Sequence, residues 1–326
     1  MISTYIVDYY KTLFEYPENF HKLFKEGSKI EIKIDEGLLI CGMGGSAIAG
    51  DFIKELAAEN FERPVIVVRG YRIPKYVNSA WTAIAVSYSG NTEETRTCVK
   101  QLRERGNTLY FVSSGGALKQ VSEENNIPFF QIPKNLQPRE AFYQMFGLLC
   151  GLLNSPLKLR ITEEDLQALG HLRDILREST NELEEIAKAQ IGRQISILSS
   201  NQMGPIALRY RCQLNENAKL HAASFEVPEF SHNAIIGYDG KYCDNLYNII
   251  IRSDLDDDRT KIHLDFHQDL IKETAVIRAQ GSSRFQQFIS TVARLDYVSI
   301  FSALHQGINP HSIDKINQLK AILRSK

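Results

Sequence analysis

Apolar residues gather in short runs along the first half of the chain, each followed by a longer stretch with helical spacing. Residues 37–41 (Gly-Leu-Leu-Ile-Cys), 65–68, 83–86, 108–112 and 128–132 are runs of four or five that predict short, largely buried strands. Between them, residues 47–58, 95–105 and 116–124 carry helical periodicity, with Gly106-Asn107 as punctuation. An aromatic-rich segment, 5–24, predicts one or two leading helices, and 139–153 a further helix. Residues 162–189 are charged, helical and mostly solvated, and read as a connection. The pattern then restarts: strand 194–198, helix 205–221, strand 248–252, helix 260–271, strand 274–277, helix 285–305 and a closing helix at 311–323. Alternating strand and helix predicts α/β architecture, with two doubly wound, mainly parallel sheets flanked by helices. The boundary is expected between about Asn154 and Thr162, giving domains 1–156 and 157–326.

Three turns stand out, each at the carboxyl end of a predicted strand, where open parallel sheets bind ligands. They are Gly42-Met43-Gly44-Gly45-Ser46, Ser87-Tyr88-Ser89-Gly90-Asn91-Thr92-Glu93-Glu94-Thr95 and Ser113-Ser114-Gly115-Gly116. Hydroxyls and glycines at the start of a helix suit an anion such as phosphate, because unpaired N–H groups and the helix dipole already favour negative charge. The same residues also suit a capping box, which would make the second turn a well-terminated helix and nothing more. The first turn satisfies G-x-G-x-x-[GA], as a dinucleotide site would. The next strand, however, ends in Arg69-Gly70 instead of the acidic residue that holds a ribose. A basic residue there leaves only a 2′-phosphate cofactor open.

Composition narrows the classes further. With 326 residues, 43% hydrophobic and 24% charged, the chain is of ordinary globular make-up and long enough for two domains. A formal net charge of −1 offers no broad basic field for nucleic acid or an anionic membrane. No apolar run approaches the roughly 18 residues of a membrane span, and the first sixteen residues do not read as a signal peptide. The five cysteines are scattered without a CxxC, as expected of reduced thiols in a cytoplasmic protein.

The segment 42–51 (Gly-Met-Gly-Gly-Ser-Ala-Ile-Ala-Gly-Asp), taken with 87–95, resembles a sugar isomerase (SIS) domain. Three further motifs, Gln137-Pro138-Arg139, Asn215-Glu216-Asn217-Ala218-Lys219 and Ser231-His232-Asn233, follow in the order found in bifunctional phosphoglucose/phosphomannose isomerases. The tail from Asn309-Pro310 to Leu319-Lys320 fits as well, so the resemblance spans nearly the whole chain. It implies two SIS domains, a homodimer, and isomerisation of hexose 6-phosphates with no cofactor and no metal.

Glucose 6-phosphate, mannose 6-phosphate and fructose 6-phosphate share one 1,2-enediol(ate). Reaching it takes an acid/base for ring opening, a base that moves a proton between C1 and C2, and positive charge beside the oxyanion. Glu216 is the candidate base. It falls on a four-residue stripe with Leu208, Cys212 and Leu220, and partial burial there would raise its pKa. A surface Glu between two Asn residues is the plain alternative. His232 lies in an irregular stretch suited to presenting a side chain, and the resemblance makes it the ring-opening group, reaching the partner subunit's site. The family pattern there is His-Asn-Glu, whereas this chain has Ala234 in third place. On the last helix, Ile313, Ile316, Leu319 and Leu323 define an expected buried stripe with Lys320 inside its arc and Lys315 at its margin. A lysine among core positions needs an anionic partner, and Lys320 is preferred over Lys315. Arg139 follows Pro138 at a helix start, where it does nothing for the dipole but suits an enediolate. The resemblance gives Gly45, Ser46, Ser87, Ser89 and Thr92 to substrate, the last three to its phosphate. His263 and His267 are four apart on a helix, a spacing that also suits metal, but no third ligand accompanies them.

The rival from another class is a sugar-phosphate-sensing SIS protein that binds without turnover. A regulator needs an output module and a glucosamine-6-phosphate synthase a glutaminase domain, and the predicted elements leave room for neither. The sensor stays open as a degenerate enzyme if Ala234 marks lost chemistry.

Overall fold

A computed structural model describes residues 13, 15–240, 243–271 and 273–324. The expected helical segment before residue 13 lies outside the described residues. The chain divides into two compact units, Phe14–Gly170 and His171–Lys326.

The first unit is built on a five-stranded sheet in the order β2-β1-β3-β4-β5, with every pair parallel. The strands are β1 (Leu38–Cys41), β2 (Val65–Val68), β3 (Thr82–Val86), β4 (Thr108–Ser113) and β5 (Phe129–Gln131). Central β1 and β3 are buried along their whole length while edge β2 is half-exposed. That is why the central strands read as unbroken apolar runs rather than as alternation. Each fully buried Leu, Ile or Val there stabilises the unit by about 1.5–3 kcal/mol relative to exposure. On one face of the sheet Trp81, Cys98, Leu102, Phe111 and Leu118 form a core with Leu39 and Ala85. Helix Tyr16–Gly27 packs closely on helix Phe142–Leu153, which is buried throughout. A Cβ on Gly151 would lie 2.1 Å from the Phe24 carbonyl oxygen, so glycine is what permits this approach.

The second unit carries a four-stranded parallel sheet, β7-β6-β8-β9. Its strands are β6 (Gln194–Ser200), β7 (Ala222–Val227), β8 (Leu246–Arg252) and β9 (Thr274–Arg278). Both sheets thus reverse strand order beside their first strand, between β1 and β3 in one and between β6 and β8 in the other. Such reversals open the crevice where α/β proteins bind ligands.

Three expectations need correction. The helix expected over 205–221 ends earlier: α-helix Gly204–Gln213 passes into a π-helical turn, Leu214–Ala218, and Lys219 leaves it at φ +56°. Edge strand β7 follows at once, where no strand was expected. The charged stretch 162–189 is not continuous but broken into Glu163–Ala168, a 3-10 turn, Leu172–Glu178 and Thr180–Ala189. Gly170 is a poor helix former, and the Ser179 hydroxyl turns back onto the Ile175 carbonyl. The stripe expected to be buried on helix Asp314–Arg324 is exposed instead: Ile316 is 40%, Leu319 56% and Leu323 45% accessible. Lys315 and Lys320 are exposed with it. Amphipathic spacing marks a face able to be covered, and this chain alone does not cover it.

Candidate active site

In the first unit the strand-end turns come together. Ser46, in the first turn of helix Gly44–Ala57, is 4% exposed, and its Oγ accepts the Tyr88 N–H at 3.3 Å. This bond ties the glycine turn after β1 to the hydroxyl turn after β3, across the strand reversal. A Cβ on Gly45 would lie 3.1 Å from the Pro138 carbonyl oxygen and 3.4 Å from Arg139 Cα, which places Arg139 beside the same turn. Arg139 is buried and sits in the turn just before helix Phe142–Leu153, not within the helix as expected. Tyr88 fixes this neighbourhood further, its phenol oxygen accepting the Leu136 N–H at 2.7 Å. Burial raises the Tyr88 pKa, so the phenol stays neutral.

The second turn is not a capping box. Thr92 is the N-cap of helix Glu93–Glu104 but makes no capping hydrogen bond. Its Oγ1 pairs instead with Ser87 Oγ at 2.9 Å, and Ser87 Oγ also accepts the Gly90 N–H at 3.1 Å. Ser89 is exposed and accepts the Asn91 N–H at 3.2 Å. Helix Gly44–Ala57 likewise starts without a side-chain cap. The third turn has a different part from the one expected of it. Asn91 Oδ1 and the Gly90 carbonyl take the N–H groups of Ala117 and Leu118, at 2.9 and 3.1 Å. Ser114 in turn donates both N–H and Oγ–H to the Tyr88 carbonyl. This turn therefore clamps the second one in place.

Arg69 does not await a nucleotide phosphate. Its guanidinium forks onto the Asp51 carboxylate, with one arm at 3.1 Å. A 2′-phosphate at the glycine turn would have to compete with this carboxylate for Arg69.

The equivalent strand ends of the second unit are closed by their own side chains. Ser200 Oγ caps Met203, and the Asp257 carboxylate caps Thr260 at 3.0 Å. Asp256, 3% exposed, accepts from Ser200 Oγ at 2.8 Å and lies 3.7 Å from Arg284. A protein carboxylate thus occupies the crevice between β6 and β8.

What the second unit presents lies elsewhere. Glu216 sits half-exposed on the π-helical turn, and its charge adds to the burial that raises the Cys212 thiol pKa. The stripe Leu208, Cys212, Glu216 is the partly exposed edge of its helix rather than a buried face. π-turns of this kind recur at functional sites because they re-aim side chains. His232 ends the 3-10 turn Glu229–His232 and is exposed. Its loop is nonetheless anchored. Phe230 is 2% exposed and packs edge-on to His267, with Phe225 and Tyr238 alongside. Ala234 belongs to this apolar packing with Ile235. Within the turn, Asn233 donates to the Glu229 carboxylate at 2.5 Å.

His263 and His267 converge on Ser231: its Oγ is 2.8 Å from His263 Nδ1 and 2.8 Å from His267 Nε2. Among the described residues no group of three or more His, Cys, Asp or Glu is placed to bind a metal ion, and no helix is long and apolar enough to cross a membrane. Burial, and secondarily the charge of His263, lowers the His267 pKa. An unfolded His takes its proton near pH 6.5, whereas folded His267 takes it only at lower pH. The unfolded chain thus binds more protons in between, and stability falls as pH drops below about 6.5. The melting temperature is therefore expected to fall more between pH 7.5 and 5.5 in the wild type than in His267→Gln. Equal falls would show that His267 is not the group responsible.

Sequence reading missed the buried polar residues under Glu216. Arg209, Gln213 and Asn217 recur every four residues and are 2%, 1% and 0% exposed. Polar residues at the spacing of a core stripe were the available signal.

These two parallel-sheet units with a hydroxyl-rich strand-end site define a two-domain SIS architecture. The solved C-terminal domain of glucosamine-fructose-6-phosphate aminotransferase from Francisella tularensis shares it, with a TM-score of 0.73 at 16% identity over 94% of this chain and 98% of that one. Residues 179–323 match the family described as the bacterial phospho-glucose isomerase C-terminal SIS domain. The bifunctional phosphoglucose/phosphomannose isomerase of Caldicellulosiruptor bescii is 31% identical, covering 95% of this chain and 97% of the relative. The chain belongs to the bifunctional phosphoglucose/phosphomannose isomerase family. A D-glucosamine-6-phosphate 4-epimerase of Sulfolobus acidocaldarius is 32% identical over 70% of the chain and 72% of its own length.

Proposed function

We propose that the protein is an aldose–ketose isomerase, interconverting glucose 6-phosphate or mannose 6-phosphate with fructose 6-phosphate through a cis-enediol(ate). The observation that carries this reading is the contrast between the two strand reversals. In the first unit two helices begin without a side-chain cap beside Ser46, Ser87 and Thr92, as suits a phosphate. In the second, Ser200 caps the 3-10 turn Asn201–Met203 that leads into helix Gly204–Gln213, which itself has no side-chain cap. Asp257 caps helix Asp258–Leu270, and the Asp256 carboxylate lies against Ser200. Gly45, Ser46, Ser87, Ser89 and Thr92 hold the substrate, the last three its phosphate.

Glu216 moves the proton between C1 and C2. Buried Arg139 stabilises the enediolate with a planar, permanently charged donor. His232 opens the ring, contributed by the partner of a homodimer, and its exposure at the end of an anchored loop supports that use. Lys320 meets the anionic sugar. The exposed apolar face of its helix supports assembly with a second copy. Glucose and mannose differ only at C2, so rotation about C2–C3 brings either C2 hydrogen to one base.

Incubation with fructose 6-phosphate, followed by NMR, is expected to yield both glucose 6-phosphate and mannose 6-phosphate, unchanged by EDTA. Glucose 6-phosphate alone would deny dual specificity, and binding without turnover would make the protein a sensor. A second reading, C4 epimerisation of an amino-sugar phosphate, is favoured by the Sulfolobus relative. Conversion of glucosamine 6-phosphate in preference to fructose 6-phosphate would establish it.

A further inference from the structure

The Glu216 turn stands on a buried polar scaffold that none of the roles above uses. Asp296, in the middle of helix Arg284–His305, is 1% exposed. Arg209 grips it with two donors, Nε to Oδ1 at 3.1 Å and Nη2 to Oδ2 at 2.6 Å, and Gln213 Nε2 adds a third bond to Oδ1 at 3.0 Å. One helical turn on, Asn217 Nδ2 donates to Ser299 Oγ at 3.0 Å, and Ser299 Oγ donates to the Asp296 carbonyl at 2.7 Å. The backbone is held as well. Gln306 Nε2 bonds the Ala218 carbonyl at 3.0 Å, while Lys219 Nζ bonds the Glu216 carbonyl and, at 2.7 Å, that of Ser312.

A buried ion pair is a poor device for stability alone, since apolar residues of the same volume serve as well. A two-pronged grip on one carboxylate does fix direction. The grip here falls where the α-helix gives way to a π-turn, which ordinary i to i−4 bonding would oppose. Asn217 points into the scaffold, so its neighbour Glu216 is turned outward at a set angle.

We propose that Asp296 and Ser299, acting through Arg209, Gln213 and Asn217, are positioning residues that set the π-turn and thereby aim the Glu216 carboxylate. The proposal rests on Glu216 being the base. It is tested in the full-length protein with fructose 6-phosphate, assayed well below the melting temperature of each variant. Ser299→Ala removes the acceptor for Asn217 and is expected to lower kcat about tenfold, with KM within twofold of wild type. Asp296→Asn keeps the shape but removes the charge and is expected to lower kcat further. If it does not accumulate folded, Ser299→Ala decides alone. In a Glu216→Asp background, whose carboxylate is already displaced, Ser299→Ala is expected to cost less than twofold. A purely structural role would instead lower stability and leave kcat of the folded enzyme unchanged. Folded Ser299→Ala with wild-type kcat, beside an inactive Glu216→Gln, overturns the positioning role while sparing the base. Undiminished turnover by Glu216→Gln removes both.

Discussion

Glu216→Gln is expected to lower kcat for fructose 6-phosphate by about 10²–10⁴-fold, the usual contribution of a positioned general base. KM should stay within a few-fold, because the phosphate contacts proposed for Ser87, Ser89 and Thr92 lie on other elements. The melting temperature should barely move, since Glu216 is half-exposed on its turn and Gln has nearly the same volume. The fall should be equal whether glucose 6-phosphate or mannose 6-phosphate is measured, because both pass through one enediolate and one proton acceptor. Initial rates with each product, alongside a thermal melt, check all three points. Activity within tenfold of wild type in a folded protein would assign the base elsewhere. A loss confined to one product would separate the two activities.

The first unit was more legible than the second for a physical reason. Its central strands are buried on both faces, so each announces itself as an apolar run ending in glycine or serine. Ser46, Ser87 and Thr92 could then be placed at strand ends by counting. Strand β7 escaped because it is a half-buried edge strand following a π-turn, and helix periodicity runs on into its first alanines. The turn itself is invisible to a 3.6-residue period. It owes its shape to contacts more than 80 positions away, such as Arg209 to Asp296. The C-terminal helix shows the opposite limit. Its amphipathic period was read correctly as a helix, but periodicity says that a face can be covered and not by what.

The two units share a strand order yet treat its reversal in opposite ways. In the second, Asp256 lies against Ser200 and Arg284, an acid in the place where an anion would otherwise sit. Burial raises the Asp256 pKa, while Ser200 and Arg284 act in the other direction. In the first, Glu93 and Glu94 open the helix after β3, but the N-cap hydroxyl of Thr92 bonds Ser87 Oγ and not a carboxylate. One crevice is thus lined by its own carboxylate, while the other is the one proposed to take the substrate's phosphate. The chemistry proposed for the second unit falls on the π-turn and the Ser231 loop instead.

Gly90→Ala is expected to have the largest effect on the fold of the first unit. Gly90 has φ +68°, and a Cβ there would lie 1.8 Å from the Gly115 carbonyl oxygen. Two costs combine: about 1–2 kcal/mol for a left-handed non-glycine residue and about 1–3 kcal/mol for forcing the packed turns apart. At 2–4 °C per kcal/mol for a unit of this size, the melting transition should fall by roughly 5–15 °C. Gly106→Ala separates the two costs. Gly106 has φ +79°, but its added Cβ would meet nothing closer than Ser79 Cβ at 4.0 Å. It should therefore show the conformational penalty alone, with KM unchanged. Gly90→Ala should also raise KM several-fold, because Gly115 abuts the turn whose Ser87 and Thr92 hydroxyls are proposed to hold phosphate. Equal melting shifts in the two variants would mean that the turns separate without cost. A KM unchanged in folded Gly90→Ala would mean that the hydroxyl turn does not bind the substrate's phosphate.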